Sequence, residues 1–282
     1  MSLGVLNNIS AIYAQNNLNL TQQNLQNTLT QLSSGSRINS GADDAAGLAL
    51  ADGLHANVAA LTQSAQNASA GVGMLQTADG ALAQVTNLLT RAITLATEAA
   101  NGTLNTSQVG SANQEYQNIL TEIDNIGKTT NYNGNNVFSA TAVNIFVSDG
   151  TSSGASTFAQ TVGALSKSSV GTTSGGGGAD LTTNATLSAT TASSILTTLT
   201  TAVQDVAYQR GTIGANINQL NAAANVANAQ SVNLASAENN IRATNYGQAT
   251  SDMAKYKVLS ETGIAALSQA NAVQQDVLKL LQ

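Results

Sequence analysis

Apolar residues alternately three and four positions apart run from Leu54 to Ala100, and this run most constrains how the chain can fold. Only Asp79 and Thr86 interrupt it. The run consists of Leu54, Val58, Leu61, Ala65, Ala68, Val72, Leu75, Leu82, Leu89, Ile93, Ala96 and Ala100. About six such heptads predict a long helix, over 42–100, that packs lengthwise against other helices. The chain has no proline, so no residue of that type breaks a helix of this length.

Similar spacing recurs further along the chain. One seam joins Ala112, Tyr116, Ile119, Ile123 and Ile126. Another consists of Leu196, Leu199, Val203, Val206, Ile213, Ile217, Leu220, Ala224, Ala227 and Leu234, with polar interruptions at Arg210 and Ser231. Alanine is common in these seams, which favours close approach of the helices. We interpret the glycines within the first helix as further sites of tight helix or subunit contact: Gly47, Gly53, Gly71, Gly73 and Gly80.

Both ends of the chain also have a helical pattern. The N-terminal seam is formed by Leu18, Leu25, Leu29 and Leu32, with Gln15 and Gln22 on the same line. The C-terminal seam is formed by Ile264, Leu267, Leu278 and Leu281, with Asn271 and Gln274. Seams diluted by Gln and Asn are weak in an isolated pair, so we predict that these helices are assembly elements that need partners to stay ordered. An ordinary intramolecular helix pair is the alternative.

The first charges of the chain lie in the stretch LSSGSRINSGADDAAGLALADGL, residues 32–54. Two adjacent carboxylates there, Asp43 and Asp44, suggest catalysis at first sight. However, Ser40 and Asp43 fit the capping box that starts a helix, and Asp44 is favoured in a first turn. No nucleophile, second histidine or metal-ligand cluster accompanies them, so we predict a helix cap and no catalytic or cofactor site.

Composition excludes several classes of function. The chain has no cysteine and a single histidine, His55, so thiolate metal sites and the two-histidine zinc motif are excluded. The net charge of −6 argues against a nucleic-acid partner. No basic segment followed by an apolar run opens the chain, and no apolar run is long enough to span a bilayer, so we expect neither a cleavable signal peptide nor membrane insertion.

The segment between the helical seams has a different character. Residues 131–147 contain an Asn-Gly turn between β-favouring residues, which predicts a short hairpin. Residues 148–194 are mainly Ser, Thr, Gly and Ala, with too little apolar surface for a core of their own. We therefore predict a mainly α fold: long antiparallel helices forming a coiled-coil-like bundle built from both chain ends, with a short β-hairpin and a small loop-rich outer insert.

Several motifs in this chain resemble those of bacterial flagellin. Besides the stretch at 32–54, they are NASAGVGMLQTADGAL at 67–82, EIDNIGKTTNYNG at 122–134 and ALSQANAVQQDVLKLLQ at 266–282. The family commonly has a proline near its C-terminus, where this chain has ANAVQQ at 270–275. The resemblance covers residues 1 to about 140 and about 190 to 282.

The resemblance implies a structural subunit that polymerises into the flagellar filament for motility through its terminal helices. Residues 1–40 and 236–282 would form the inner filament core, 41–139 and 191–235 the central helical domain, and 140–190 a short variable outer segment. The filament is extracellular, and subunits travel unfolded through a dedicated export system without a cleavable signal peptide. Alternatives are a hook–filament junction protein, a flagellin with an enzymatic insert and a generic coiled-coil scaffold.

The resemblance also implies partners. They are further copies of the chain, the flagellar export machinery, a flagellin chaperone at the C-terminal helix, and the filament cap and junction proteins. In some flagellins Toll-like receptor 5 senses an Arg, a Leu and a Glu, and the matching positions here are Arg91, Leu95 and Glu115. A second arginine often follows the first in the family, but this chain has Ile93 there. The alternative is that Arg91 and Glu115 are polar edges of packed helices.

Overall fold

Five helices account for most of the computed structural model of this chain, which describes residues 8–150, 157–172, 177–183 and 185–280, with side chains as far as 276. The helices are α1 (Ile9–Ser34), α2 (Ala45–Ala100), α3 (Thr106–Thr129), α4 (Ala192–Arg242) and α5 (Tyr246–Leu280). The strands are β1 (Asn131–Tyr132), β2 (Asn135–Asn136), β3 (Val143–Phe146) and β4 (Thr157–Gln160). The chain divides into two compact units, Met1–Ala56 with Asn233–Gln282, and Asn57–Val232. The mainly α fold with long helices from both ends is as predicted.

Local sequence signals explain where several helices begin and end. Asn8 precedes α1 and accepts a hydrogen bond from the Ala11 N–H, and α1 ends at Gly35, whose φ of 72° is left-handed. The long helix α2 ends at Ala100 as predicted, with Gly102 at φ 67°. A reciprocal capping box between Asn105 and Gln108 starts α3. These contacts satisfy backbone groups that a helix end leaves unpaired.

In the second unit, α2 and α4 run antiparallel. Leu220 of α4 lies next to Gly71 of α2, and Arg210 next to Asp79. The core between α2, α3 and α4 contains fully buried residues at heptad spacing in two of the predicted seams. They are Leu61, Ala68, Leu75, Leu82, Leu89 and Ala96 on α2, and Leu199, Val206, Ile213, Leu220 and Ala227 on α4. The heptad register of both long helices was therefore predicted correctly at one position per repeat.

The second position differs from the prediction in most repeats of α2, although Ala65 is buried as predicted. Val72 and Ile93, four residues beyond a buried position, are only half-buried, and Ala100 is exposed. The residues buried instead lie three positions on, and they are Ser64, Gly71, Ala78, Val85, Ala92 and Ala99. At 3.6 residues per turn both neighbours lie on the same face. Most of those three positions on are small, so the facing helix approaches on that side and covers them.

The predicted hairpin forms between β1 and β2, which are antiparallel and joined by Asn133 and Gly134 with φ of 51° and 80°. Two positive φ values are the signature of the tight turn that Asn-Gly favours. A second antiparallel hairpin, β3–β4, follows it and was not predicted. Its Ile145 lies against Gly71 of α2, which leaves no room for a side chain at Gly71.

The insert is more closely packed than its composition suggested. We define the insert as residues 157–172, 177–183 and 185–190, the described residues from β4 up to the segment before α4. Six of its apolar residues are buried in the core of the second unit: Val162, Leu165, Val170, Ala179, Leu181 and Leu187. The Leu165 carbonyl lies so close to Gly127 of α3 that a Cβ there would be 1.9 Å from the oxygen. The insert does not build a separate core, as expected, but its few apolar residues complete the core of the helices.

The helix glycines divide into two groups. A Cβ on Gly47 would be 2.8 Å from Ile38, on Gly71 2.3 Å from Ile145, and on Gly73 3.1 Å from Tyr132. These three are sites of tight contact within the chain, as interpreted. Gly53 and Gly80 have no neighbouring atom within 4 Å of such a Cβ, so no contact within the described residues explains them.

Candidate assembly surface

The chain ends pair with each other in the first unit. Asn8 Nδ2 donates to the Ala270 carbonyl at 3.0 Å, Leu18 lies against Gly263, and the Thr244 hydroxyl donates to the Gln31 carbonyl at 3.3 Å. The sequence numbers rise along α1 as they fall along α5, so the two helices are antiparallel. Of these three contacts, two are made by polar side chains and the third by Leu18 against the backbone of Gly263.

On the face that joins α1 and α5, the covered residue after a seam leucine again lies three positions further along the helix, where the predicted seam continued four positions further. On α1 the covered residues are Ala11, Ala14, Leu18, Thr21, Leu25, Thr28 and Leu32, and on α5 they are Ala249, Met253, Tyr256, Ser260, Gly263, Leu267, Ala270 and Gln274. Of the predicted seam residues, Leu18, Leu25, Leu32 and Leu267 lie half-buried on this face. Leu29 and Ile264 lie outside it, 47% and 55% exposed. The Leu278 side chain and Leu281 lie outside the described part of the chain.

Large apolar side chains remain exposed on both helices of the pair. They are Ile9, Ile12, Tyr13, Leu20 and Leu29 on α1, and Tyr246, Val258, Leu259, Ile264 and Val273 on α5. We call these ten residues the exposed apolar set. Single exposed apolar residues are normal on a protein surface, but a concentration of them on two adjacent helices indicates an interaction site.

The acidic pair of the opening motif is part of the helix start, as predicted, but the helix begins later. Asp43 Oδ2 accepts hydrogen bonds from the backbone N–H groups of Asn39 and Ser40 at 3.0 and 2.9 Å and from the Ser40 hydroxyl at 3.1 Å. These bonds, the one from Asn39 foremost, lower the pKa of Asp43. The residue that caps α2 is Asp44, whose Oδ1 accepts from the Gly47 N–H at 2.8 Å.

Ser40 therefore does not cap α2. Its hydroxyl donates to Asp43, and its backbone carbonyl accepts from the Asp43 N–H at 3.1 Å, which closes a turn ahead of the helix. The capping-box motif in the sequence fits Ser40 with Asp43 only, because the residue three positions before Asp44 is Gly41. Asp44 takes the role because its carboxylate reaches the N–H three residues on.

The residues matched to the receptor motif are brought together only in part. Arg91 of α2 donates from Nε to Glu115 Oε1 at 2.7 Å and from Nη2 to Oε2 at 3.0 Å, a two-pronged ion pair with α3 on the surface. This pairing lowers the pKa of Glu115 and raises that of Arg91. Leu95 is 2% exposed and belongs to the core. Its side chain is therefore not available for a surface contact in this structure.

The structure also pairs two residues that interrupt the predicted seams. Arg210 of α4 donates from Nε and Nη2 to the two carboxylate oxygens of Asp79 at 2.7 and 3.2 Å. In the sequence, each was only a polar break in its own helix. Asp79 and Arg210 interrupt their seams at the same heptad position and have opposite charges. For two antiparallel helices, these sequence features could have predicted the ion pair.

Within the described ranges, no group of three or more His, Cys, Asp or Glu side chains is placed to hold a metal ion. In the same ranges, no helix has both the length and the apolar character that a membrane crossing requires. The feature that stands out is the exposed apolar set on α1 and α5.

Family comparisons agree with the resemblance in the motifs. Two family models, for the bacterial flagellin N-terminal helical region and C-terminal helical region, match residues 5–143 and 196–281. The flagellar filament 30.7 kDa core protein of Treponema maltophilum is 31% identical over 283 residues, which cover 97% of this chain and 98% of that protein.

Longer relatives match over about half of the chain. Flagellin 1 of Proteus mirabilis is 41% identical over 144 residues, which are 51% of this chain and 40% of the relative. Flagellin of Salmonella enteritidis is 42% identical over 132 residues, which are 47% of this chain and 26% of the relative. The crystal structure of Bacillus cereus flagellin is 30% identical, with a TM-score of 0.46, and covers 62% of this chain and 94% of its own. From the two family models and the near full-length match, the chain belongs to the bacterial flagellin family.

Proposed function

We propose that this chain is the repeating structural subunit of a flagellar filament, and that its α1–α5 helix pair joins neighbouring subunits. The observation that carries the proposal is the exposed apolar set, which the monomer leaves in water. Burying such side chains between subunits supplies the free energy of association. Nothing in the fold or in the family comparisons favours the hook–filament junction alternative.

The proposed shells divide the chain at other residues than the two compact units do. Residues 1–40 and 236–282 would form the inner core of the filament, 41–139 and 191–235 the central domain, and 140–190 the outer segment. The role of the whole is structural and not enzymatic. The filament is extracellular, and the subunit reaches it by unfolded export.

Partners other than further copies of the chain follow from the family. They are the export machinery, a chaperone on the C-terminal helix, and the filament cap and junction proteins. Recognition by Toll-like receptor 5 would involve Arg91 and Glu115 on the surface, whereas Leu95 would contribute by packing beneath them.

Replacing two residues of the exposed apolar set tests the assembly proposal. Leu29 and Ile264 are about half exposed, so complete burial leaves roughly 1 kcal/mol to be gained at each. Losing both corresponds to about 2 kcal/mol, or roughly thirtyfold in critical concentration. We expect the Leu29→Gln, Ile264→Gln variant to show that rise in sedimentation and electron microscopy, with an unchanged unfolding temperature.

The matched control changes two exposed polar residues on the same helices, Gln26→Ala with Gln269→Ala. It should polymerise like the parent. Polymerisation of the apolar double variant at the parent's critical concentration would show that these helices do not make the subunit contacts.

A further inference from the structure

The chain contains two Asn-Gly pairs, Asn101-Gly102 and Asn133-Gly134, and the structure places them in different surroundings. An asparagine before a glycine is chemically labile, because the next main-chain nitrogen can reach the side-chain carbonyl carbon and glycine puts no side chain in the way. Closing a ring between these two atoms requires a side chain that is free to turn and a nitrogen that is free of hydrogen bonds. The surroundings of each pair therefore decide how fast it reacts.

The tip of the first hairpin meets both requirements. Asn133 and Gly134 are exposed and form the two-residue turn between β1 and β2. Among the described residues, neither the Asn133 side chain nor the Gly134 N–H has a hydrogen-bond partner. Apart from its chain neighbours, no atom lies within 4 Å of where a Cβ on Gly134 would be. Water therefore reaches both the attacking nitrogen and the amide that it would displace.

The backbone at this tip is also easy to rearrange. Asn133 has a φ of 51°, a left-handed conformation that the tight turn requires. Only two residue pairs, Asn131 with Asn136 and Tyr132 with Asn135, hold the strands of this hairpin together. So short a hairpin opens at low cost, which lets the backbone of Asn133 rotate toward ring closure.

The other Asn-Gly pair is held more firmly at the end of α2. Asn101 N–H donates to the Glu98 carbonyl at 3.3 Å, and Asn101 Nδ2 donates to the Thr103 hydroxyl at 3.2 Å. Turning the Asn101 side chain toward the Gly102 nitrogen breaks the second of these bonds. One hydrogen bond of ordinary strength corresponds to about a fivefold lower population of the reactive arrangement.

We propose that Asn133 is a site of spontaneous covalent modification, in which the Gly134 nitrogen closes a cyclic imide on the Asn133 side chain. The nitrogen forms a bond to Cγ and gives its proton to water, while the bond from Cγ to Nδ2 breaks and the amide leaves as ammonia. Water then opens the ring at either carbonyl. Opening at Cγ leaves aspartate, and opening at the main-chain carbonyl leaves isoaspartate. Water is the only co-reactant, and nothing is oxidised or reduced.

Both products change the hairpin. Each replaces a neutral amide by a carboxylate, which adds one negative charge to a chain whose net charge is −6. Isoaspartate also lengthens the main chain by one methylene, so the two-residue turn no longer fits the strand pairing. The Tyr132 hydroxyl, 3.1 Å from where a Cβ on Gly73 would lie, is then no longer held over α2. The Val137 N–H, which donates to the Thr130 carbonyl at 3.1 Å, should exchange faster with solvent.

Ageing of the full chain in water labelled with heavy oxygen tests the proposal, which does not depend on the proposed filament function. A folded sample and a sample in urea are kept at mildly alkaline pH and digested, and mass spectrometry of the fragments follows the conversion of each amide to an acid. In the folded protein we expect Asn133 to react about fivefold or more faster than Asn101. In urea the two rates should converge, because the fold no longer distinguishes the pairs. Heavy oxygen in the new carboxyl group and methylation by an isoaspartyl methyltransferase identify the imide route.

Asn133→Gly is the matched control, because glycine keeps the left-handed turn and removes the reacting amide. Hydrogen exchange at Val137 should become faster in the parent as it ages and should stay unchanged in this variant.

Two outcomes would overturn the proposal. If Asn101 reacts as fast as Asn133 in the folded protein, the open hairpin tip gives its amide no special reactivity. If Asn133 stays intact in the folded protein while it reacts in urea, the turn protects this amide and is not a modification site.

Discussion

Two glycines on the same helix predict opposite effects of the same substitution. Gly127 and Gly110 both lie on α3, but a Cβ on Gly127 would be 1.9 Å from the Leu165 carbonyl oxygen of the insert, whereas Gly110 has no neighbour within 4 Å. Gly127→Ala therefore tests whether the insert is a packed part of the second unit or a loop that moves aside.

The magnitude follows from two opposing terms. Alanine favours a helix over glycine by about 1 kcal/mol, and this gain applies at both positions. At Gly127 the contact is with backbone, which cannot rotate away as a side chain can, so overpacking costs about 1–3 kcal/mol or more. We expect Gly110→Ala to stabilise the protein by about 0.5–1 kcal/mol and Gly127→Ala to destabilise it by up to about 2 kcal/mol.

Thermal unfolding of the two variants and the parent measures the difference. For a unit of this size, 1 kcal/mol shifts the unfolding temperature by about 2–4 °C, so the two variants should separate clearly and on opposite sides of the parent. Hydrogen exchange should also be faster at insert residues such as Val170 in Gly127→Ala alone. An unfolding temperature for Gly127→Ala at or above that of Gly110→Ala would refute the view that the insert is packed on α3.

Four further predictions concern charged residues. Asp44→Ala should lower helix stability by about 0.5–2 kcal/mol in denaturant titrations. Hydrogen bonds lower the pKa of Asp43 in the folded protein, so ionised Asp43 stabilises the fold above the usual carboxyl pKa. This stabilisation should be lost as the pH falls through the folded-state pKa, and Asp43→Asn should not show that loss. A double-mutant cycle on Asp79 and Arg210 should give a coupling of at most about 1 kcal/mol, because both are partly exposed; a larger value would mean that the pair fixes the helix register. Burial raises the pKa of Asp205, so the charged form of this side chain opposes folding and stability should decrease as the pH rises through the shifted range. Asp205→Asn should therefore not destabilise the protein at neutral pH. Unfolding measurements at pH 4 and pH 7 can check both expectations.

The sequence determined the features that depend on neighbouring residues along the chain. The heptads predicted the long helices, Asn101-Gly102 predicted the end of α2, and Asn133-Gly134 predicted the first hairpin. The motifs at 32–54 and 266–282 also identified the family. In each case the physical cause lies within a few residues: a backbone conformation that glycine permits, or a periodicity that places apolar side chains on one face.

Only the tertiary structure decided which side of each apolar face is buried. Heptad spacing allows a buried residue to be followed either three or four positions on, and the choice depends on how close the facing helix comes. Gly71 and Gly263 let that helix approach, so the covered face moves toward them and leaves Leu29 and Ile264 exposed. Leu95 proved to be buried for a related reason, since the position of α3 over α2 cannot be read from either helix alone. The insert was the largest surprise in packing, because a few apolar residues suffice when the helices already provide the rest of the core.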